Sequence, residues 1–349
     1  MTALAVIWLV SSALAGASLL FMAGLIVRRV FIDRATARRA ARRAELQALV
    51  IAAIDSACSS SIPPVTSQDD RRILAEIGRE LVDLVRGEDR ARLLILMEAN
   101  GVVETALSDM TAGSARRREA AIAHLAPFNR DDVRSALLNA LRRDPVPAVR
   151  MSAAFALAEW GEPPPLPVIV EALGGLDNAG SLRLRALLAL VAAASPLELV
   201  ELIRSNASPS VLAAALHALG QSGTLGAIDL ILEATAHADV TVRAEAFMAL
   251  AQLGHPDAER AILGGLADTA WQVRGQAASC AGQIGLISAI PALEGALSDP
   301  QWWVRLRVCE ALGKLGTAGI DALKRIAKGT GLAAQTAQLA LAEAGGAPS

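Results

Sequence analysis

The chain has 349 residues, of which 53% are hydrophobic, so it is long enough to bury a sizeable core. Only 3% of the residues are aromatic and none is tyrosine, which disfavours an all-β fold and suits helices that pack through alanine and leucine. The formal net charge of −2 excludes a globally basic nucleic-acid-binding protein.

The first predicted element is an apolar helix at the N-terminus. Residues 3–27 carry no charged side chain, and a helix that rises about 1.5 Å per residue would span roughly 30 Å of hydrocarbon over this length. A cleaved signal peptide would need a basic region before the apolar stretch, and the sequence has none there. We therefore predict a single transmembrane anchor over residues 1–27.

A basic segment follows the apolar stretch, and Asp33 is its only acid before Glu45. Because positively charged flanks stay on the cytoplasmic side of a membrane, this segment predicts an N-terminus outside and a C-terminal body in the cytoplasm. We interpret residues 28–58 as a juxtamembrane helix that contacts anionic lipid headgroups. The membrane-flanking arginines are Arg28, Arg29, Arg34, Arg38, Arg39, Arg42 and Arg43.

Residues 59–70 are rich in serine and proline and predict a linker. From residue 71 to residue 345 the main signal is self-similarity. Val-Arg pairs recur at 242–243, 273–274 and 304–305, each followed by an alanine-rich stretch and a glycine. The apolar residues have helical spacing, so each repeat predicts a first helix with an apolar seam, a turn at glycine and a second helix.

The residues from Asp299 to Gly316 resemble the HEAT repeat, in the short bacterial form that also occurs in phycobilin lyase subunits. The resemblance extends over about residues 86–330 and is strongest from 208 to 328. It implies an all-α fold in which about seven or eight helix pairs stack as a right-handed HEAT-repeat α-solenoid. One helix pair cannot bury its own seam, so stacking buries the seam between neighbours.

Five arginines recur at one repeat position, or near it, and are expected to form a ladder along the solenoid. A functional ladder would bind phosphate or carboxylate, because a guanidinium group fits both bidentately. In the alternative, each arginine pairs with a repeat aspartate six residues upstream, as Asp268 lies before Arg274, and we favour this structural role. The ladder comprises Arg150, Arg183, Arg243, Arg274 and Arg305.

Three tryptophans are candidates for partner binding. Trp271 and Trp302 occupy equivalent repeat positions, two residues before the valine, and Trp303 adjoins the second of them. Packing between successive repeats would explain a large residue here, whereas contact with a partner would use the enrichment of tryptophan at interface hot spots. We predict a partner-binding surface at Trp271, Trp302 and Trp303.

The cysteines and histidines show none of the spacings of a zinc site or a catalytic centre, so we expect no enzymatic activity, no cofactor and no metal. The favoured function is an interaction scaffold, anchored in the bacterial inner membrane, that binds another membrane-associated protein. An accessory subunit of an envelope or polysaccharide synthesis complex is one example. Two alternatives stay open: a bilin-lyase-like enzyme, and nucleic-acid binding along the arginine ladder.

Overall fold

The computed structural model describes residues 3–55, 65–175, 182–205 and 207–346, with side chains at residues 8 and 16 and from residue 20 to residue 342 within these ranges. All regular secondary structure in the described ranges is helical, as the composition and periodicity predicted. The chain divides into two compact units, residues 1–136 and residues 137–349. The predicted solenoid segment, residues 71–345, therefore extends over both units.

The first unit is built on a long N-terminal helix. The C-terminal part of this helix packs against the two helices that follow it, and Leu46, Val50 and Ile54 are buried there. The helices are α1 (Ala3–Asp55), α2 (Gln68–Val82), α3 (Gly87–Ala99), α4 (Val102–Asp109), α5 (Ala115–Leu125) and α6 (Asp131–Arg143), of which α6 extends into the second unit.

The second unit alternates longer first helices with shorter second helices. The first helices are α7 (Pro147–Glu159), α9 (Leu182–Ala194), α11 (Pro209–Ser222), α13 (Val240–Leu253), α15 (Trp271–Ile284) and α17 (Trp302–Lys314). The second helices are α8 (Leu166–Leu173), α10 (Pro196–Arg204), α12 (Ile228–Ala234), α14 (Glu259–Gly265), α16 (Ile290–Ala296) and α18 (Gly316–Ala327). One further helix, α19 (Leu332–Gly346), ends the described chain.

Consecutive first helices pack side by side, from α9 onto α11 and onward to α17. The third residue of each first helix points into this seam and is buried. These residues are Val149, Leu184, Val211, Val242, Val273 and Val304. The repeated burial confirms the predicted arrangement, in which stacking covers the apolar seam of each helix pair, and the unit is solenoid-like.

Two glycines let neighbouring first helices approach closely. A Cβ atom on Gly282 of α15 would lie 2.6 Å from the Cα atom of Ala311 in α17. A Cβ atom on Gly220 of α11 would lie 2.7 Å from the Cα atom of Ala249 in α13. Both distances are shorter than side-chain contacts allow, so these positions require glycine for the observed helix spacing.

The predicted membrane anchor is not supported. No single helix in the described part of the chain has the length and hydropathy of a membrane span. Most side chains of the predicted anchor, residues 1–27, lie outside the described residues. The predicted localisation at the inner membrane is wrong.

One bent pair of helices passes the same length and composition test when its members are taken together. The pair is α9 and α10, which meet at an angle of 118°. Leu187, Leu188 and Val191 of α9 and Leu199 of α10 are buried in the fold. Their apolar composition therefore reflects the core of the second unit.

The predicted linker, residues 59–70, coincides only in part with a break between helices. Residues 56–64 lie outside the described residues, and residues 65–67 connect to α2, which already begins at Gln68. The segment 28–58, predicted as a basic juxtamembrane helix, is helical as far as Asp55, as part of the helix that begins at Ala3.

Candidate functional site

Arg274 connects two consecutive helix pairs of the second unit. Its Nη1 atom donates hydrogen bonds to the backbone oxygens of Asp268 and Thr269, at 2.8 and 3.1 Å, in the turn before its own helix. Its Nε and Nη2 atoms donate to the carboxylate of Asp299, at 2.6 and 3.0 Å, in the next turn. The guanidinium group therefore ties each turn to the following one.

Arg243 repeats this arrangement one helix pair earlier. Its Nη1 atom donates to the backbone oxygens of His237 and Ala238, both at 2.9 Å. Its Nε and Nη2 atoms donate to the carboxylate of Asp268, at 2.8 and 2.9 Å. The aspartate that pairs with each arginine thus belongs to the next repeat.

These ion pairs correct the predicted pairing within one repeat. The aspartate six residues upstream of Arg274 accepts only through its backbone oxygen, whereas the paired carboxylate lies 25 residues downstream. The sequence shows both aspartates at regular spacing, so spacing alone could not distinguish them. Stacking of the helix pairs selects the downstream aspartate, because it brings the next turn within reach of the guanidinium group.

The paired aspartates titrate below their usual range. Burial would raise the pKa of Asp299, but hydrogen bonds from Arg274 and from the backbone N–H of Gln301 outweigh it and lower that pKa. For Asp268, burial likewise acts to raise the pKa, and hydrogen bonds from Arg243 and the Ala270 N–H lower it. Both carboxylates are therefore charged at neutral pH and occupy the arginines that face them.

The ladder lacks this pairing at Arg150 and Arg305. Arg305 Nη1 donates to the backbone oxygens of Asp299 and Pro300, at 2.8 and 3.2 Å, and Arg150 Nη1 donates to that of Asp144 at 2.7 Å. In both arginines Nε is buried and has no hydrogen-bond acceptor among the described residues. For Arg150, the following residues 176–181 lie outside the described chain.

Arg183 does not occupy the ladder position that the sequence suggested. Leu182 is 85% exposed and Leu184 is 2% exposed, so Leu184 takes the place of the repeat valine and Arg185 the place of the arginine. Arg183 itself is exposed and reaches Ser152 Oγ at 3.4 Å. The prediction was wrong at this repeat because the 31-residue period fails here, since Leu184 lies only 27 residues before Val211.

Sequence reasoning also missed a buried charged cluster around Glu245 of α13. Arg185 Nη2 of α9 donates to Glu245 Oε1 at 3.0 Å, and His217 Nδ1 of α11 lies 3.4 Å from Glu245 Oε2. The cluster joins three consecutive first helices. Arg185 and Glu245 are 60 positions apart in the sequence, so no local motif indicates their contact.

The three tryptophans lie at the N-terminal ends of two adjacent first helices. Trp271 begins α15, and Trp302 and Trp303 begin α17. Their exposed fractions are 38%, 59% and 40%, respectively, so a large part of each indole faces solvent. We call this set the tryptophan surface.

The Trp303 ring contacts two neighbouring side chains of α17. Its ring centroid lies 5.7 Å from that of Trp302, with the planes tilted by 47°. The guanidinium carbon of Arg307 lies 4.7 Å from the Trp303 ring centroid, within the range of a cation–π contact. Trp302 is the most exposed of the three tryptophans.

Three arginines of the basic N-terminal segment pair with acids of α2. Arg39 Nη2 lies 2.6 Å from Glu76 Oε1, and Arg42 Nη2 lies 2.8 Å from Asp70 Oδ2. Arg43 Nη2 lies 2.5 Å from Glu80 Oε2. These contacts give the three arginines partners within the protein. The remaining four, Arg28, Arg29, Arg34 and Arg38, are exposed on α1.

The described part of the chain holds little metal-binding or nucleophilic chemistry. No three histidine, cysteine, aspartate or glutamate side chains gather there in a way that could hold a metal ion. Burial raises the pKa of the Cys280 thiol to about 12, so this thiol is protonated and unreactive at neutral pH. Cys58 lies outside the described residues.

Models of the HEAT repeat match residues 133–162, 196–270 and 259–342, which together make up about half of the chain. The chain belongs to the HEAT-repeat family. The matched ranges include the tryptophan surface and four of the five predicted ladder arginines. No curated protein sequence matches the chain significantly.

The solved structures that match this HEAT-repeat protein share little of its sequence. An engineered protein is 19% identical, with a TM-score of 0.39, and the match covers 86% of this chain and 99% of that one. A mutant of the karyopherin Kap121p is 14% identical, with a TM-score of 0.44, and the match covers 85% of this chain and 41% of that one.

A third solved structure is the complex of CpcE and CpcF of phycocyanin lyase from Nostoc sp. PCC7120. The identity is 22% and the TM-score 0.30, over 69% of this chain and 94% of that one. At these identities the similarities concern the fold and leave the function to be argued from the site.

Proposed function

We propose that this HEAT-repeat protein is an interaction scaffold that binds a protein partner at the tryptophan surface, without catalysing a reaction. The observation that carries the proposal is the exposure of Trp271, Trp302 and Trp303 at the ends of two adjacent first helices. Exposed tryptophans on a firmly packed framework bury a large apolar area on binding and lose little side-chain entropy.

The packing beneath the surface supports its rigidity. Val273 and Val304 follow the tryptophans in sequence and are buried, and Gly282 lets α15 and α17 approach closely. The Arg274–Asp299 ion pair fixes the turn that leads into Trp302. A partner would therefore meet a preorganised surface.

The arginine ladder favours a protein partner over a nucleic acid. Arg243 and Arg274 already hold carboxylates of this chain, each through two hydrogen bonds. A phosphate would have to displace a buried aspartate from either arginine. The formal net charge of −2 adds no general attraction for a polyanion.

Site-specific photo-crosslinking tests the proposal. Benzoylphenylalanine would replace Trp303 in the full-length chain, and, as a control, Leu225, an exposed apolar residue elsewhere in the second unit. We expect a discrete protein adduct at position 303, of the same identity when position 271 carries the photophore, and no such adduct at position 225. Identical adducts at positions 303 and 225, or none at position 303, would contradict the proposal.

A further inference from the structure

Arg305 is a ladder arginine that forms no ion pair with an aspartate of the described residues. In Arg243 and Arg274, Nε and Nη2 both donate to an aspartate of the next repeat. Arg305 holds the same position in α17, and its Nη1 atom makes the same two contacts with the preceding turn. Its Nε atom is buried without an acceptor. We call this place the open ladder end.

The following turn explains why no carboxylate of this chain fills the place. Between α18 and α19 the sequence is Lys-Gly-Thr-Gly, residues 328–331, where the preceding repeats have an aspartate. All four residues of this turn are exposed. The sequence contains no acidic residue between Asp321 and Glu343. The turn therefore offers small and basic residues around the unpaired guanidinium group.

The charge of this end of the solenoid is opposite to that of the whole chain. All three lysines of the protein, Lys314, Lys324 and Lys328, lie in the helix pair of α17 and α18 or directly after it, and are exposed. None of them forms an ion pair with a described residue. Residues 302–331 contain six arginines and lysines against two acids, Glu310 and Asp321, so this end of the second unit is locally basic and attracts an acid, although the whole chain carries a net charge of −2.

The open ladder end adjoins the tryptophan surface. Arg305 follows Trp302 by three residues in α17, and residues at this spacing share one face of a helix. Trp302 is the most exposed of the three tryptophans. An apolar surface and an unpaired cation therefore lie side by side.

We propose that Arg305 binds a carboxylate side chain of the protein partner through its Nη2 group, as Arg274 Nη2 binds Asp299 in the preceding repeat, while an apolar residue next to that acid packs on Trp302 and Trp303. The inference rests on the proposed function and adds to it the chemistry of the partner, an acidic residue flanked by apolar ones. Interior repeats supply the template, since they show a carboxylate bound at this position twice.

A matched pair of peptides tests the inference on the full-length chain. The probes are acetyl-Phe-Asp-Phe-amide and acetyl-Phe-Asn-Phe-amide, which differ only in the carboxylate, and the readout is the indole N–H signals of Trp302 and Trp303 in nitrogen-15 NMR spectra. We expect the aspartate peptide to shift these signals and to bind roughly tenfold more tightly than the asparagine peptide, as a charged hydrogen bond exceeds a neutral one.

Two variants locate the effect. Arg305→Gln should reduce binding of the aspartate peptide to the level of the asparagine peptide, whereas Arg260→Gln, which removes an equal charge from an exposed position in α14, should leave the ratio unchanged. If Arg305→Gln does not fold, the ratio of the two peptide affinities for the unaltered chain still tests the inference. Equal binding of both peptides would overturn the inference and leave the tryptophan surface standing. Absence of any shift at millimolar peptide, or full affinity in Arg305→Gln, would also overturn it.

Discussion

Arg274 Nε and Asp299 Oδ2 lie 2.6 Å apart across the junction of two helix pairs, with side chains that are only 16% and 7% exposed. The same bidentate geometry joins Arg243 to Asp268 one repeat earlier. Each of these junctions thus combines an apolar seam with a nearly buried ion pair. Removing one member of such a pair leaves the other charge buried and unpaired.

Arg274→Gln should therefore destabilise the second unit strongly, by about 3–5 kcal/mol, because Asp299 loses its partner. Arg305→Gln should lower the free energy of unfolding by only about 1–2 kcal/mol, since it removes two hydrogen bonds to backbone oxygens and no ion pair. Urea unfolding followed by circular dichroism measures both. Equal losses would show that the ion pair with Asp299 contributes nothing beyond the backbone contacts.

The lowered pKa values of Asp268 and Asp299 predict acid sensitivity. A carboxyl group whose pKa is lower in the folded chain stabilises it above the unfolded pKa, near 3.8, and this stability is lost as the pH falls through the folded value. The urea midpoint should therefore fall steeply below about pH 4. Asp299→Asn should be less stable at neutral pH and should show a smaller further loss in acid. An unchanged acid dependence in this variant would refute the assignment.

Alanine substitutions at two glycines in equivalent repeat positions should have opposite effects on the stability of the fold. A methyl group on Gly282 would meet the Ala311 backbone at 2.6 Å, so Gly282→Ala should destabilise by about 1–3 kcal/mol through overpacking. Gly313 is exposed with open space around it, so Gly313→Ala should stabilise α17 by about 0.5–1 kcal/mol. Thermal melts of the two variants make the comparison. Shifts in the same direction would contradict the tight approach of α15 and α17.

The periodic features of the sequence predicted the fold well, because they reflect local helix geometry. The buried valines, such as Val273 and Val304, and the glycines that end α13 and α15 follow from apolar spacing and from turn chemistry. The partner of Arg274 could not be predicted, since two aspartates stood at regular distances and only stacking selects between them. At α9 the period itself fails, and the expected Arg183 gives way to Arg185.

The sequence predicted which residues form the candidate site, but it did not predict how exposed they are or what they contact. Equivalence of Trp271 and Trp302 was visible in the sequence, but their exposure depends on what the neighbouring helices cover. The apolar N-terminal stretch predicted a membrane span by composition alone, and no described helix meets that test. The cluster of Arg185, His217 and Glu245 joins three helices and left no sequence signal.

Trp303→Ala should leave the fold largely intact, because it removes a half-exposed ring and one cation–π contact with Arg307, a loss of about 1 kcal/mol. Val304→Asp places an unpaired charge in the buried seam and should unfold the C-terminal repeats. Thermal melting by circular dichroism compares the two neighbours. If Trp303→Ala melts as early as Val304→Asp, the tryptophan belongs to the core and not to a binding surface.

The affinity of Trp303→Ala for the protein captured by the crosslink at position 303 tests the central claim most directly. Isothermal titration of the purified partner should show a loss of about 1–3 kcal/mol of binding free energy, roughly 5- to 150-fold in Kd, at unchanged stoichiometry. Leu225→Ala, an exposed apolar change away from the tryptophan surface, should bind as the unaltered chain does. An unchanged Kd for Trp303→Ala would contradict the account.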